Sequence, residues 1–138
     1  VQHNKYMPLN PTGSKPTISI NFDKRIPPGK AESGTCTLLI RKSPTTQWFE
    51  IATIHNRPVS SHVLDPSIHL GGGISVTELI GAEIRYNVLF LDIDGDDKID
   101  CSFDLEILQD GATVIAKNEE ASENNVQFIA FSQTFTIS

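Results

Sequence analysis

The chain has 138 residues, with 17 acidic against 11 basic side chains for a net charge of −6, and only two cysteines. A domain of this length buries roughly two-thirds of its unfolded surface, so one core is expected and two are not. No cluster of Lys and Arg is dense enough to neutralise successive phosphates and no apolar run approaches ~20 residues, which argues against a nucleic-acid partner and against a transmembrane helix.

At 38% hydrophobic and 20% charged residues, the composition is that of a folded, soluble protein. The opening residues, Val1-Gln2-His3-Asn4-Lys5, lack the apolar stretch of a signal peptide. Whether a signal stood ahead of them stays open, and a secreted or cell-surface setting is only slightly favoured over the cytoplasm. Cys36 and Cys101 each lie in an apolar, strand-like run, where a thiol behaves as a small hydrophobe. A disulfide between them is left open, because spacing does not show whether their Cα atoms come within roughly 7 Å.

Residues 1–16, with Pro8, Pro11, Gly13 and Pro16, predict an irregular N-terminal arm along the surface, ahead of a domain over 17–138. Thr17 to Asp23 alternates Ile18, Ile20 and Phe22 with polar residues, as a half-buried strand does. Cys36 to Lys42 and Gln47 to Ile54 read as a hairpin closed by Ser43-Pro44-Thr45-Thr46. From His55 to Gly73 only short edge segments around Val59, Val63 and Ile68 are expected, and Ser75 to Ala82 allows one turn of helix.

Glu83 to Leu108 reads as a long hairpin, with Ile84, Tyr86, Val88 and Phe90 on the apolar face of one arm and Ile99, Cys101, Phe103, Leu105 and Ile107 on that of the other. Asp110-Gly111 is a hairpin turn into Thr113 to Ala116, followed by a polar loop from Asn118 to Asn125. In the closing segment, Val126 to Ile137, the apolar set changes phase between Ala130 and Phe131, which suggests a β-bulge or a bend where the strand moves between sheets. The whole predicts an all-β, single-domain antiparallel β-sandwich of about 7–9 strands, jelly-roll or immunoglobulin-like.

One stretch has a specific chemical meaning. In Asp92-Ile93-Asp94-Gly95-Asp96-Asp97-Lys98-Ile99-Asp100, carboxylates at positions 1, 3, 5 and 9 around a glycine are spaced to converge on a hard cation such as Ca²⁺. Over these residues the chain resembles the calcium loops of dockerins, thrombospondin type 3 repeats and integrin FG-GAP repeats. The resemblance implies Asp92, Asp94, Asp96 and Asp100 as ligands, with the Lys98 carbonyl as a fifth. It departs from the pattern at Asp97, where a glycine belongs, and at Phe103, where a bidentate Glu belongs; Asp104 is a shifted substitute for that Glu. The alternative is a hydrated acidic turn, since Asp and Gly also favour hairpin tips.

Other constellations carry less. His55, His62 and His69 are seven apart, a spacing that does not place them on one face of a strand. His69-Leu70-Gly71-Gly72-Gly73 and Pro28-Gly29-Lys30-Ala31 lack the motif partners that an oxyanion loop or phosphate loop needs. With no nucleophile and base recognisable, an enzyme is not expected. Trp48 and Phe49 must point to opposite faces, one towards the core and one partly exposed, and Trp48, Tyr86 and Asp97 are candidate ligand contacts. The expected function is a non-catalytic binding module, calcium-dependent and lectin- or adhesin-like, that takes carbohydrate or a protein surface. The alternative is an assembly subunit, a homo-oligomer that self-associates through its sandwich and N-terminal arm.

Overall fold

In a computed structural model, residues 8–22, 33–56, 61–64, 75–92 and 95–138 are described. The period-two segments fold into strands β1 (Thr17–Phe22), β2 (Ser33–Arg41), β3 (Phe49–Asn56), β4 (Ser61–Leu64), β5 (Glu83–Leu91), β6 (Lys98–Gln109), β7 (Ala112–Asn124) and β8 (Phe128–Thr136), with one helical turn, α1 (Val76–Leu79). They form two antiparallel sheets, β4-β1-β6-β7 and β3-β2-β5-β8. The all-β sandwich is therefore the observed architecture.

The alternation explains the core. Ile18, Ile20 and Phe22 of β1 and Ile99, Cys101, Phe103, Leu105 and Ile107 of β6 face Cys36, Leu38 and Ile40 of β2 and Ile84, Tyr86, Val88 and Phe90 of β5, all buried. Each large side chain removed from water contributes about 1.5–3 kcal/mol. Phe22 sits edge-on to Phe103 at 5.5 Å and to Phe90 at 6.2 Å, tying one sheet to the other. Gly34, on the inward face of β2, makes room for this cluster: a Cβ there would lie 2.9 Å from Phe90 Cε1 and 3.1 Å from Phe22 Cδ1.

The segment from Glu83 to Leu108 is not a hairpin. β5 lies between β2 and β8 in one sheet, and β6 between β1 and β7 in the other. Alternation along each arm states which side faces the core, and both arms do bury that side, but against each other across the sandwich. The true hairpins are β2–β3 and β6–β7. The second closes through Asp110 (φ 51°) and Gly111 (φ 80°), the two left-handed residues that a tight turn matching strand twist requires.

β7 continues to Asn124, through the expected polar loop, because its residues from Asn118 onward pair with β6. β8 carries no bulge: it pairs with β5 in unbroken register, and Ile129, Phe131, Phe135 and Ile137 keep one inward phase, while Phe128 is 61% exposed. The register shifts lie instead between Leu38 and Leu39 and between Ile107 and Leu108.

Residues 8–16 contain no helix or strand but are docked. Leu9 is buried and its N–H donates to the Ser138 carbonyl at 2.9 Å. The buried Gln109 side chain clamps the segment, accepting from Asn10 N–H (2.7 Å) and donating to the carbonyls of Asn10 and Ser14 (both 2.8 Å). The turn Val76–Leu79 is fixed by a capping box between Ser75 and Glu78, which satisfies donors that a helix start leaves unpaired. No disulfide joins Cys36 and Cys101, both buried. No helix among the described residues is long and apolar enough to cross a membrane.

Candidate functional site

The outer face of the β3-β2-β5-β8 sheet is built from residues that alternate with the core set. Across it run the rows Thr35–Leu89–Ala130, Thr37–Asn87–Ser132 and Leu39–Arg85–Thr134. A shallow hollow of about 400 Å³ opens over Thr35, Thr37, Asn87, Leu89, Ala130 and Ser132, with no charged residue in its lining. Its floor is held in place by Ser132 Oγ, which donates to Asn87 Oδ1 at 2.6 Å.

One pleat further along β5 and β8, Leu91 stands opposite Phe128. These two side chains, with Asp92, Gly95, Asp97 and Gln127, line a second hollow of about 400 Å³. Leu89, Leu91 and Phe128 are exposed apolar groups, so the two hollows form one track, neutral and hydroxyl-lined at one end and apolar with an acidic rim at the other. Trp48 lies at the opposite end of the face. Its ring is packed beneath two guanidinium groups, Arg41 at 4.4 Å and Arg85 at 4.6 Å. Those groups are anchored in turn by Glu83, 2.7 Å from Arg41, and by Thr134 Oγ1, which accepts from Arg85 Nε at 2.8 Å. Trp48 is thus half-covered and Phe49 is 44% exposed at a sheet edge; neither reaches the core.

The acidic loop has a different use for its first carboxylate. Asp92 Oδ1 accepts from Gly95 N–H at 3.2 Å and Oδ2 from Asp97 N–H at 2.7 Å, and Asp96 Oδ1 accepts from Lys98 N–H at 2.9 Å. With Gly95 at φ 77° and Asp97 at φ 56°, the chain turns around Asp92 as around a cap. The loop is pinned to the β7–β8 connection by Asp92 N–H to Gln127 O (3.0 Å) and Val126 N–H to Asp97 O (3.1 Å).

Asp100 and Asp104 both stand on the outer face of β6, about 13 Å apart along the strand at 3.3 Å per residue. Asp104 accepts from Asn118 Nδ2 and is too distant to share an ion with the loop. Among the described residues no three of His, Cys, Asp or Glu are grouped to hold a metal, and Asp94 lies outside the described residues. What is described of the loop is a turn capped by its own first carboxylate, Asp92.

Tyr86, read from sequence as a ligand contact, is buried in the core and presents no face to a ligand. Its hydroxyl lies 2.7 Å from Glu119 Oε2 and 2.7 Å from Gln133 Oε1. Burial raises the Tyr86 phenol well above its ordinary range, and Glu119, as acceptor and as charge, adds to the shift. Asp97 is exposed at the rim of the second hollow. His55 is exposed, its Nδ1 3.2 Å from Thr35 Oγ1; His69 and the side chain of His62 fall outside the described residues.

Sequence reasoning missed Thr35, Thr37, Asn87, Leu89, Leu91, Phe128 and Ser132. The signal was present in the outward phase of β8, where Ala130, Ser132, Thr134 and Thr136 carry no charge. Solvated strand faces usually carry charge, as the outer face of β6 does with Asp100, Asp104 and Glu106. No family model, curated protein or solved structure matches the chain.

Proposed function

We propose that the chain is a non-catalytic binding module that holds a carbohydrate on the outer face of the β3-β2-β5-β8 sheet. The observation that carries this reading is the track along β5 and β8, uncharged at one end and apolar with an acidic rim at the other. Hydroxyl and amide groups of Thr35, Thr37, Asn87 and Ser132 lie beside the exposed apolar Leu89, Leu91 and Phe128. A sugar ring presents the same mixture, hydroxyls around its rim and C–H groups on its faces. Few polar groups set in an apolar concave surface give orientation without a large desolvation cost.

Asp92 and Asp97 at the far end supply acceptors for further hydroxyls. A calcium-assisted form of the reading needs Asp94 and Asp100 to join Asp92 and Asp96. Binding to a glycan array, followed by titration of the bound glycan into wild type, Asn87→Ala and Leu89→Glu, tests the proposal. Binding is expected to fall at least tenfold in both variants with unchanged thermal melts. Silence across the array, with and without added calcium, would sink it. Melts in EDTA and in millimolar Ca²⁺ test the metal separately, because a ligand of the native state must raise the melting temperature.

A further inference from the structure

Four strands end the two sheets: β4 and β7 in one, β3 and β8 in the other. A free edge offers a row of N–H and C=O groups that another strand can complete, and proteins shorten, bulge or charge such edges to prevent it. Three of the four carry such a device. β4 has four residues, β3 pairs with β2 across a register shift, and β7 carries Lys117, Glu119, Glu120 and Glu123. β8 has none: its nine residues include no charge, proline or glycine, its register with β5 is unbroken, and among the described residues no strand lies on its far side.

The bonds at its two ends show which groups point there. Asp92 N–H donates to Gln127 O at 3.0 Å; at the other end Gly81 N–H donates to Ile137 O at 2.7 Å and Ile137 N–H to Ala82 O at 2.8 Å. Odd-numbered residues therefore bond towards β5. By antiparallel alternation, the N–H and C=O groups of Phe128, Ala130, Ser132, Thr134 and Thr136 face the open edge.

We propose that β8 is the seam of a homodimer, pairing antiparallel with β8 of a second copy about a two-fold axis through Ser132. In that register every outward residue meets another outward residue, giving about ten backbone hydrogen bonds. The side chains are self-complementary as well: Ala130 stands across from Thr134 of the second copy, and Phe128 across from its Thr136, so large meets small. Charge selects the same edge. Each copy carries −6, and β8 lets two copies meet without like charges opposite one another, which the glutamates of β7 do not. The pairing makes one eight-stranded sheet and sets the two proposed sugar tracks side by side.

Sedimentation equilibrium over a wide concentration range, without any sugar present, tests the seam independently of ligand binding. Wild type is expected at twice the 15.2 kDa chain mass, with slow amide exchange at Ala130, Ser132 and Thr134. Ser132→Pro removes an N–H that the sheet itself does not use, a placement an edge strand tolerates. Ala130→Lys adds the missing charge with the backbone unchanged and carries the test if the proline variant fails to fold. Both are expected to run at the single-chain mass with those amides exchanging fast. A wild type that stays monomeric throughout, a dimer that Ala130→Lys leaves intact, or a monomer that takes up an unrelated peptide along β8 would each overturn the proposal.

Discussion

Tyr86 and Glu119 join the two sheets at the side where β7 and β8 form their edges, the phenol lying 2.7 Å from the Glu119 carboxylate. The ring belongs to the core, tilted against Phe103 at 5.2 Å, while Glu119 lies part-buried on the edge strand. A phenol has one hydrogen, and the ionised carboxylate is the stronger acceptor for it. Turning the Gln133 amide over presents its NH₂ to the phenol oxygen and satisfies all three groups. Tyr86→Phe is expected to cost about 1–3 kcal/mol in urea denaturation, because it leaves two polar groups with a lost partner. In Glu119→Gln the same substitution should cost less, and the double-mutant cycle measures the difference.

Alkaline pH should destabilise the protein through two buried groups, Cys36 and Tyr86. Burial pushes the Cys36 thiol up to about 12 from its ordinary 9.0, and the Tyr86 phenol is raised as well. Both groups are neutral in the fold and ionise more readily in the unfolded chain. Their stabilisation is therefore complete below pH 9 and declines as pH rises from 9 towards 12. For Cys36 alone the loss over that window is about 4 kcal/mol. Urea midpoints at pH 8 and pH 11 measure it, and Cys36→Ala should reduce the difference between them.

Gly34→Ala places a methyl 2.9 Å from Phe90 and 3.1 Å from Phe22. Neither is the loose end of a flexible chain, so the rings or β2 must shift. A loss of about 1–3 kcal/mol is expected, read as a lower urea midpoint at unchanged slope. A neutral result would mean that the aromatic cluster repacks freely.

Gln109→Ala should release residues 8–16. Three hydrogen bonds end on that amide, and Gly13 approaches it so closely that a Cβ would lie 2.6 Å from Gln109 Nε2. Amides of residues 9–14 are expected to exchange faster while those of β2 and β5 are unaffected, with a global cost of about 1–3 kcal/mol. Gly13→Ala should reproduce the local effect.

Asp92→Ala removes an acceptor from two backbone N–H groups and is expected to cost about 1–2 kcal/mol in EDTA, with no metal involved. Asp92→Asn keeps one carbonyl oxygen and should cost less. If Asp92→Ala melts like wild type in EDTA and differs only when calcium is added, the self-capped turn is the wrong description.

Strand positions and inward faces were legible because alternation reports burial directly: Ile18, Ile20 and Phe22, or Ile84 to Phe90, could face only one way. Turn chemistry was equally readable at Asp110-Gly111. Partnership was not. The arms from Glu83 and from Lys98 have the pattern of hairpin arms, yet their neighbours are set by strands distant in sequence, and nothing local distinguishes a turn within a sheet from a step between sheets. The polar residues of β7 were mistaken for loop because an edge strand can be wetted on much of its surface. The phase change expected after Ala130 came from counting Phe128 with the apolar set, although it is 61% exposed. At the candidate site, carboxylates drew notice by type, whereas the uncharged rows Thr35–Leu89–Ala130 and Thr37–Asn87–Ser132 declare themselves only when outward residues of three strands are laid side by side.

The step from β5 to β6 also sets how the chain must fold. Among the described strands, only β2–β3 and β6–β7 join neighbours in sequence, while Thr17 must find Leu108 and Glu83 must find Thr136. Closing such long loops precedes any reward from them, which places the protein among slow, high-contact-order folders with rates on the order of milliseconds to seconds. Kinetic φ-values should be high in the two hairpins and low in β1, with the union of the sheets as the final event.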